Sequence, residues 1–265
     1  MRIGIDRKIK QAWLDGVLDR LAQGSDQAEL RSYLEQALRP ELPGNASRAN
    51  TIGILLRIWC GVPTPQLAVR ERALALLPKT TREERLWLHW GMTSLAYPFF
   101  RSAAEVIGRL FVLQDEVRTG QVYSRLVSDW GDRETSKEAA QKLLRTLVDW
   151  GALHEAGRKG RFHRSAPVKA GSTELQTWLL DALFNASGAA EIEAQQLLRL
   201  PEAFPFGLTI SIGDLRKHQG FDIHRQGLDM DMVALRKTEA KRPAPKRRNA
   251  AREKITISLF DNLGE

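Results

Sequence analysis

Three side chains that can bind phosphate groups or base edges recur every four residues in one segment of the chain. These are Lys137, Gln141 and Arg145, with Lys142 beside them, in the stretch "SKEAAQKLLRTLVDWG". Residues four apart share one face of an α-helix, and the apolar residues of this stretch fall on the other face. A helix whose free face carries cations and an amide has the hydrogen-bond donors needed in the major groove of a nucleic acid duplex.

A second cluster of cations follows that helix directly. Residues 157–169 contain five Lys or Arg and no Asp or Glu, and they include the turn "GRKG". The flanking segments "ALHEA" and "RFHRS" have strand patterns that predict a hairpin, with Leu153 and Phe162 pointing inward. A hairpin that only contacts water would normally mix charges of both signs, so this pattern favours contact with a polyanion.

The charge of the whole chain supports local rather than uniform contact. The formal charge of the 265 residues is +8 at pH 7. Residues 1–235 contain 31 Lys and Arg against 28 Asp and Glu, whereas residues 236–265 contain nine against four. Clustered cations on a nearly neutral body favour defined contact surfaces, because neutralising phosphates releases counterions wherever Lys and Arg cluster. Nucleic acid is the leading polyanion.

Sequence motifs of other chemistries are largely missing. The sequence has no G-x-x-x-x-G-K-[ST], G-x-G-x-x-G, H-E-x-x-H or G-x-S-x-G segment, so we expect no enzymatic activity, no cofactor and no metal. The single cysteine, Cys60, cannot form an intramolecular disulfide and is expected to be a buried structural thiol in a reducing cytoplasm. No apolar run has the length of a membrane span, and none resembles a signal peptide.

One acidic cluster keeps a different class of function open. Asp222, His224, Asp229 and Asp231 lie close together in the sequence, and paired carboxylates beside a histidine can hold a divalent cation for phosphodiester cleavage. The same "DMDM" alternation is also typical of a half-buried strand. A metal-dependent nuclease is therefore one alternative.

Helical periodicity dominates the first part of the chain. Apolar residues recur with helical spacing through residues 1–117, and two capping boxes, Thr81-x-x-Glu84 and Thr135-x-x-Glu138, predict helix starts. His89 and the tryptophans are expected to pack in the core. Beyond residue 170, helices are expected around "STELQTWLLDALF" and "EIEAQQLLRL", followed by strands in "LTISI", "FDIHR" and "MDMVAL".

These patterns predict a mainly α protein built from several parts. The parts are an N-terminal helical bundle (1–117), a helix-turn-helix with a hairpin (118–170), a small α/β unit (171–235), a disordered basic linker (236–254) and an apolar C-terminal peptide (255–265). The linker holds nine cations, two acids and two prolines, which suits either a flexible DNA-binding arm or a solubilising arm. The terminal peptide is expected to dock on the protein itself or on a partner; its "TISLF" resembles peptides that bind the bacterial sliding clamp.

Residues 119–167 resemble a bacterial winged helix-turn-helix, with "KLLRTLVDWGALHEAGRKGRFHR" matching its recognition helix and wing. The helical region before it, including "YPFFRSAAEVIGRLF", and the segment ending "LVDWGAL" are similar to the BrxA family of BREX phage-defence systems. The resemblance implies a non-enzymatic protein that binds double-stranded DNA and acts beside other defence proteins, which the C-terminal peptide would contact. A winged helix that recruits only protein partners is the other alternative. The candidate DNA-binding residues are Arg133, Lys137, Gln141, Lys142, Arg145, Arg158, Lys159, Arg161, His163 and Arg164.

Overall fold

The computed structural model describes residues 3–155, 157–227 and 230–236, and these residues form a mainly helical protein with two small antiparallel sheets. The expected mainly α class is confirmed. The α-helices are α1 (Gln11–Ala22), α2 (Gln27–Leu38), α3 (Asn45–Trp59), α4 (Leu67–Leu76), α5 (Arg85–Ala96), α6 (Pro98–Leu113), α7 (Thr119–Trp130), α8 (Glu134–Asp149), α9 (Thr173–Ser187), α10 (Ala194–Leu197) and α11 (Ile212–Leu215). The strands are β1 (Glu116–Arg118), β2 (Leu153–Glu155), β3 (Arg161–Arg164), β4 (Glu191–Glu193), β5 (Phe221–Gln226) and β6 (Met230–Leu235).

The hydrogen bonds of one of the two expected capping boxes are present in the turn before α5, which itself begins at Arg85 with Glu84 as its N-cap. The backbone N–H of Thr81 donates to Glu84 Oε2 at 2.9 Å, and Glu84 N–H donates to Thr81 Oγ1 at 3.3 Å. The box expected at Thr135 is wrong, because α8 begins at Glu134 and its N-cap is Arg133, which makes no side-chain cap. The helix starts two residues earlier than the expected box requires, which places Thr135 inside the first turn, where its side chain cannot act as the cap.

The apolar core is centred on α5. Ten consecutive residues of this helix, Leu86–Leu95, are buried, and α9 packs closely along it. The close packing of α9 on α5 requires glycine at position 91, since a Cβ there would lie 2.7 Å from the ring of Trp178 on α9. Six of the seven tryptophans, Trp59, Trp87, Trp90, Trp130, Trp150 and Trp178, are each no more than 6% exposed, Trp13 is partly buried, and His89 is fully buried. Their expected role in packing is confirmed.

Two segments repeat the same order of elements. The first runs α6, β1, α7, α8, β2 and β3, and its sheet has the order β1-β3-β2. The second runs α9, β4, α10, α11, β5 and β6, with an additional 3₁₀ turn at Pro201–Ala203 between α10 and α11, and its sheet has the order β4-β6-β5. Each segment is thus helix, strand, two helices and two strands, with the last strand in the middle of the sheet.

The secondary structure of the second segment corrects two predictions. "FDIHR" and "MDMVAL" are strands as expected, but "LTISI" is not a strand: its first four residues have no regular structure, and Ile212 begins α11. Ser211 caps that short helix, with Asp214 Oδ2 accepting from its backbone N–H at 3.0 Å. "EIEAQQLLRL" is not one helix but β4 followed by α10, because Ile192 pairs with Val233 of β6 and packs on the adjoining apolar cluster.

Helix α9 belongs to both apolar clusters of the molecule. Leu179 and Leu183 face the large cluster around α5, while Leu180 and Phe184 face a smaller cluster with β5 and β6. Between these faces the buried Asp181 binds Arg72 of α4 and accepts from His218 Nε2 at 3.1 Å. The second segment is therefore joined to the helical bundle through this shared helix, through the ion pair of Asp181 with Arg72, and through the packing of residues 201–203 on α6.

Two further expectations concern membranes and the end of the chain. Within the described ranges no single helix is long and apolar enough to cross a membrane. One pair of consecutive helical segments, Asn45–Trp59 and Thr64–Lys79, has the required length and apolar composition only when the two are taken together, and they are bent by 57° relative to each other. The expected basic linker beyond Arg236 and the apolar peptide 255–265 lie outside the described residues.

Candidate nucleic-acid interface

The exposed stripe of α8 carries the cations and amide expected on it. Lys137, Gln141 and Arg145 are exposed, while Ala140, Leu143, Leu144 and Leu147 on the opposite face are at most 2% exposed. Lys137 Nζ lies 3.9 Å from Glu134 Oε2, and Lys142 Nζ lies 3.3 Å from Glu138 Oε2. Arg145 makes no ion pair with any described residue, so it is the least neutralised cation of this stripe.

The hairpin of β2 and β3 has the orientation that its sequence predicts. Leu153 and Phe162 are 2% and 4% exposed and face the core. Gly157 and Gly160 adopt φ values of 55° and 81°, which favour glycine, and Glu155 Oε1 accepts from the Gly160 N–H at 3.0 Å. The Thr119 N–H donates to the Gly160 carbonyl at 3.1 Å, which fixes the turn against the start of α7.

Helix α8 and the hairpin turn border one concave surface, which we call the groove. Gln141, Arg145 and Lys159 line it together with Lys8, Thr119, Val148, Glu155, Gly160 and Phe162, and it encloses about 540 Å³. Three sequence-predicted residues therefore meet there. Sequence reasoning missed Lys8, which reaches the groove from the N-terminal segment and whose Nζ lies 3.0 Å from Asp149 Oδ2. No local pattern links Lys8 to residues so distant in the chain.

Two other predicted residues lie on the outer face of the small sheet rather than in the groove. Arg161 Nη1 lies 3.1 Å from Glu116 Oε1, and the Arg118 and Arg161 guanidiniums hold the pKa of Glu116 below its usual range. His163 Nδ1 lies 2.8 Å from the Asp115 carbonyl oxygen, and the His163 ring stacks on His154 at 5.5 Å. The hairpin cations are thus partly neutralised by strand β1, a neighbour that the hairpin sequence does not contain.

The remaining predicted residues occupy three different positions. Arg158 is exposed at the hairpin turn and makes no ion pair with the described residues. Arg164 is at the far end of β3, on the same side as Phe162, and partial burial lowers its pKa. Arg133 precedes α8 and lines a separate cavity with Arg57 of α3, not the groove.

The acidic cluster considered for a nuclease is divided between two faces of a sheet. Arg225 pairs directly with Asp231, whereas His224 pairs with Met232, so Asp231 lies on the face opposite to Asp222 and His224. Asp231 Oδ2 instead accepts from Arg216 at 2.8 Å. Asp229 lies outside the described residues, and in the part of the chain that the structure covers no group of three or more His, Cys, Asp or Glu is arranged to hold a metal.

Comparison of the chain with protein-family models, with curated proteins and with solved structures gives no significant match.

Proposed function

We propose that residues 98–169 form a winged helix-turn-helix that binds double-stranded DNA without catalysing a reaction. In this proposal α8 enters the major groove and the β2–β3 hairpin contacts the sugar-phosphate backbone. The main support for this proposal is the groove on the protein surface, which is lined by Gln141 and Arg145 of α8 together with Lys159 of the hairpin turn. The order helix, strand, helix, helix, strand, strand and the sheet order β1-β3-β2 also support it.

The charges of the two similar segments favour the first as the DNA-binding one. Residues 98–169 contain 13 Lys and Arg against nine Asp and Glu, an excess of four positive charges. Residues 171–236 contain five against nine, an excess of four negative charges. Because DNA binding depends on neutralising phosphates, two segments of the same element order with opposite charge are expected to differ in affinity for DNA.

The wider biological role rests on the resemblance alone. An accessory, cytoplasmic role in a phage-defence system of the BREX type is consistent with a non-enzymatic DNA-binding protein. Partner proteins of that system would contact the C-terminal peptide, residues 255–265.

A protein-recruiting winged helix is the second candidate, and one observation favours it. Val112 and Leu113, the last two residues of α6, are 81% and 79% exposed. Exposed apolar side chains favour a protein contact when they belong to a larger apolar patch, and these two adjacent residues would form its centre. They lie at the end of α6 and not in the groove, so this contact and DNA binding use different residues.

Binding of a fluorescently labelled duplex, followed by anisotropy, tests the first candidate. Arg145→Ala and Lys159→Ala are each expected to weaken binding about tenfold, because each removes one unpaired cation from the groove. The matched control is Arg225→Ala, which removes an exposed cation from the β5–β6 hairpin of the similar segment. If the groove variants bind as the unaltered protein does, or if Arg225→Ala weakens binding equally, the groove is not the DNA site.

A further inference from the structure

A cavity of about 780 Å³ lies at the start of α8, apart from the groove. Its walls come from the N-terminal residues 3–7, the exposed face of α3, residues 133–136 at the start of α8, and the single residues Tyr97 and Trp130. On α3, Asn50, Gly53 and Arg57 share this face because they are three and four residues apart. The volume is within the range of sites for small molecules.

Three arginines from different segments line this cavity. Arg7 comes from the N-terminal segment, Arg57 from α3 and Arg133 from the residue that precedes α8. Among the described residues one carboxylate, Asp6, also lines the cavity, and it lies 3.1 Å from Arg7 Nε. The guanidinium of Arg57 stacks over the ring of Tyr97 at 5.1 Å and makes no ion pair with a described residue. Three positive charges therefore face one negative charge.

Two residues of the cavity wall each have a buried hydrogen-bond donor that has no partner among the described residues and is not itself exposed in the cavity. These donors are the hydroxyl of Ser136, which is 1% exposed, and the indole N–H of Trp130, which is 6% exposed. Buried polar groups normally have a partner, since leaving one unpaired costs free energy. Burial raises the pKa of Tyr97 to about 12, so this neighbour adds no negative charge at neutral pH.

The backbone of α8 adds to the same electrostatic character. This helix has 16 residues, and its N-cap, Arg133, provides no side-chain acceptor for the N–H groups of the first turn. The first turn of a helix carries partial positive charge, which suits an anion. In α8 the Ser136 N–H already donates to the Arg133 carbonyl at 2.9 Å and Glu134 adds one carboxylate, so among the lining residues of this turn the Thr135 N–H is the backbone donor left for a ligand. Ser136 and Thr135 of that turn both line the cavity.

We propose that this cavity binds a phosphate group, held by Arg57, Arg133 and the first turn of α8. The lining groups are mostly donors or cations, and a phosphate offers the matching acceptors with up to two negative charges. The phosphate comes either from a small molecule such as a nucleotide or from the backbone of a duplex bound at α8. Binding of a phosphate from a small molecule does not depend on the proposed DNA binding in the groove. Binding of a phosphate from the DNA backbone rests on that proposed function.

Calorimetric titration with inorganic phosphate and with ATP, at constant ionic strength, tests the small-molecule source. Arg57→Gln removes one charge, and Gly53→Leu places a side chain in the cavity, since a Cβ at Gly53 meets no atom within 4 Å. Both variants are expected to bind at least tenfold more weakly than the unaltered protein. Arg31→Gln is the matched control for the loss of charge, because Arg31 is an exposed cation of α2 that does not line the cavity, and it is expected to bind normally.

Titration of a labelled duplex with the same variants tests the backbone source. If neither phosphate nor ATP binds, the proposal requires that Arg57→Gln weaken duplex binding and reduce its salt slope by about one phosphate contact. The proposal is overturned if neither small anion binds and Arg57→Gln binds duplex as the unaltered protein does. If DNA does not bind in the groove, Arg145→Ala would instead bind the duplex normally, and this result is distinct because Arg145 does not line the cavity.

Discussion

Arg161 of β3 and Glu116 of β1 form an ion pair across the small sheet, with Arg161 Nη1 3.1 Å from Glu116 Oε1 and 3.4 Å from Oε2. Glu116 also lies 3.1 Å from Arg118 Nε. One carboxylate therefore neutralises part of the positive charge beside the hairpin. It would also repel the phosphates of a bound duplex.

Replacing Glu116 by Gln is expected to strengthen DNA binding about three- to tenfold, because Arg161 and Arg118 then become free to contact phosphates. The salt slope of binding should rise by about one contact. The matched control is Glu105→Gln, which also removes a carboxylate bound by two arginines, Arg101 and Arg109, but on α6. Anisotropy across a salt series measures both quantities. Equal affinities for Glu116→Gln and the unaltered protein would contradict the expected position of the hairpin on DNA.

Gly108 is required where α6 meets residues 201–203. A Cβ at this position would lie 1.9 Å from the carbonyl oxygen of Pro201, a distance that forces the two backbones apart. Gly108→Ala is expected to lower the free energy of unfolding by about 1–3 kcal/mol or more, as overpacking of a rigid site does. Gly53→Ala, also inside a helix but with open space around it, should be neutral or slightly stabilising. Urea denaturation compares them, and equal midpoints would show that the close approach does not exist.

The buried His89 makes stability depend on pH. Its Nε2 lies 3.0 Å from Asp15 Oδ1, and burial lowers the pKa of His89 from its usual 6.5. Below pH 6.5 this histidine is therefore protonated in the unfolded chain but stays neutral in the folded protein. The contribution of His89 to the free energy of unfolding is thus largest above pH 6.5 and decreases as the pH falls below it. The decrease is at most about 1.4 kcal/mol per pH unit.

Urea midpoints measured between pH 8 and pH 5.5 test this dependence. His89→Gln is expected to reduce the loss of stability over this range, although its absolute stability is lower. His224→Gln serves as the control because His224 is exposed on β5. A pH dependence that is the same in His89→Gln and in the unaltered protein would assign the effect to other groups.

The carboxylate of Asp181 is expected to hold the second segment against the helical bundle. It is fully buried and contacts Arg72, His218 and Asn185, whose Nδ2 donates to it at 2.9 Å. Asp181→Ala leaves these donors unpaired and is expected to cost about 3–5 kcal/mol in the free energy of unfolding. Asp222→Ala, at an exposed position of β5, is the control and should change stability little. Chemical denaturation measures both, and a loss below about 1 kcal/mol in Asp181→Ala would contradict this role.

Long periodic elements could be predicted from the sequence, whereas short strands and distant contacts could not. The period of α8 and the alternation of "MDMVAL" were sufficient because each element covers several repeats of its own pattern. Strands β1 and β4 have three residues each, too few to show a period. "LTISI" alternates but is no strand, because β4 supplies the third strand of that sheet.

The same limit applies to the candidate site. The four-residue spacing identified the exposed stripe of α8, and the run of Lys and Arg without Asp or Glu identified the hairpin cations. Lys8, Glu116 and Arg57 carry no local signal, since their importance comes from neighbours that lie far away in the sequence. Which cations are neutralised and which line a cavity therefore depends on tertiary packing.

The most direct test of DNA binding by α8 and the hairpin compares the full chain with a chain that ends at Arg236. Each is titrated into a labelled duplex at several salt concentrations. The shorter chain lacks eight Lys and Arg but keeps the groove, so it is expected to bind with a smaller salt slope. If the shorter chain does not bind the duplex at any salt concentration, the groove is not the DNA-binding site.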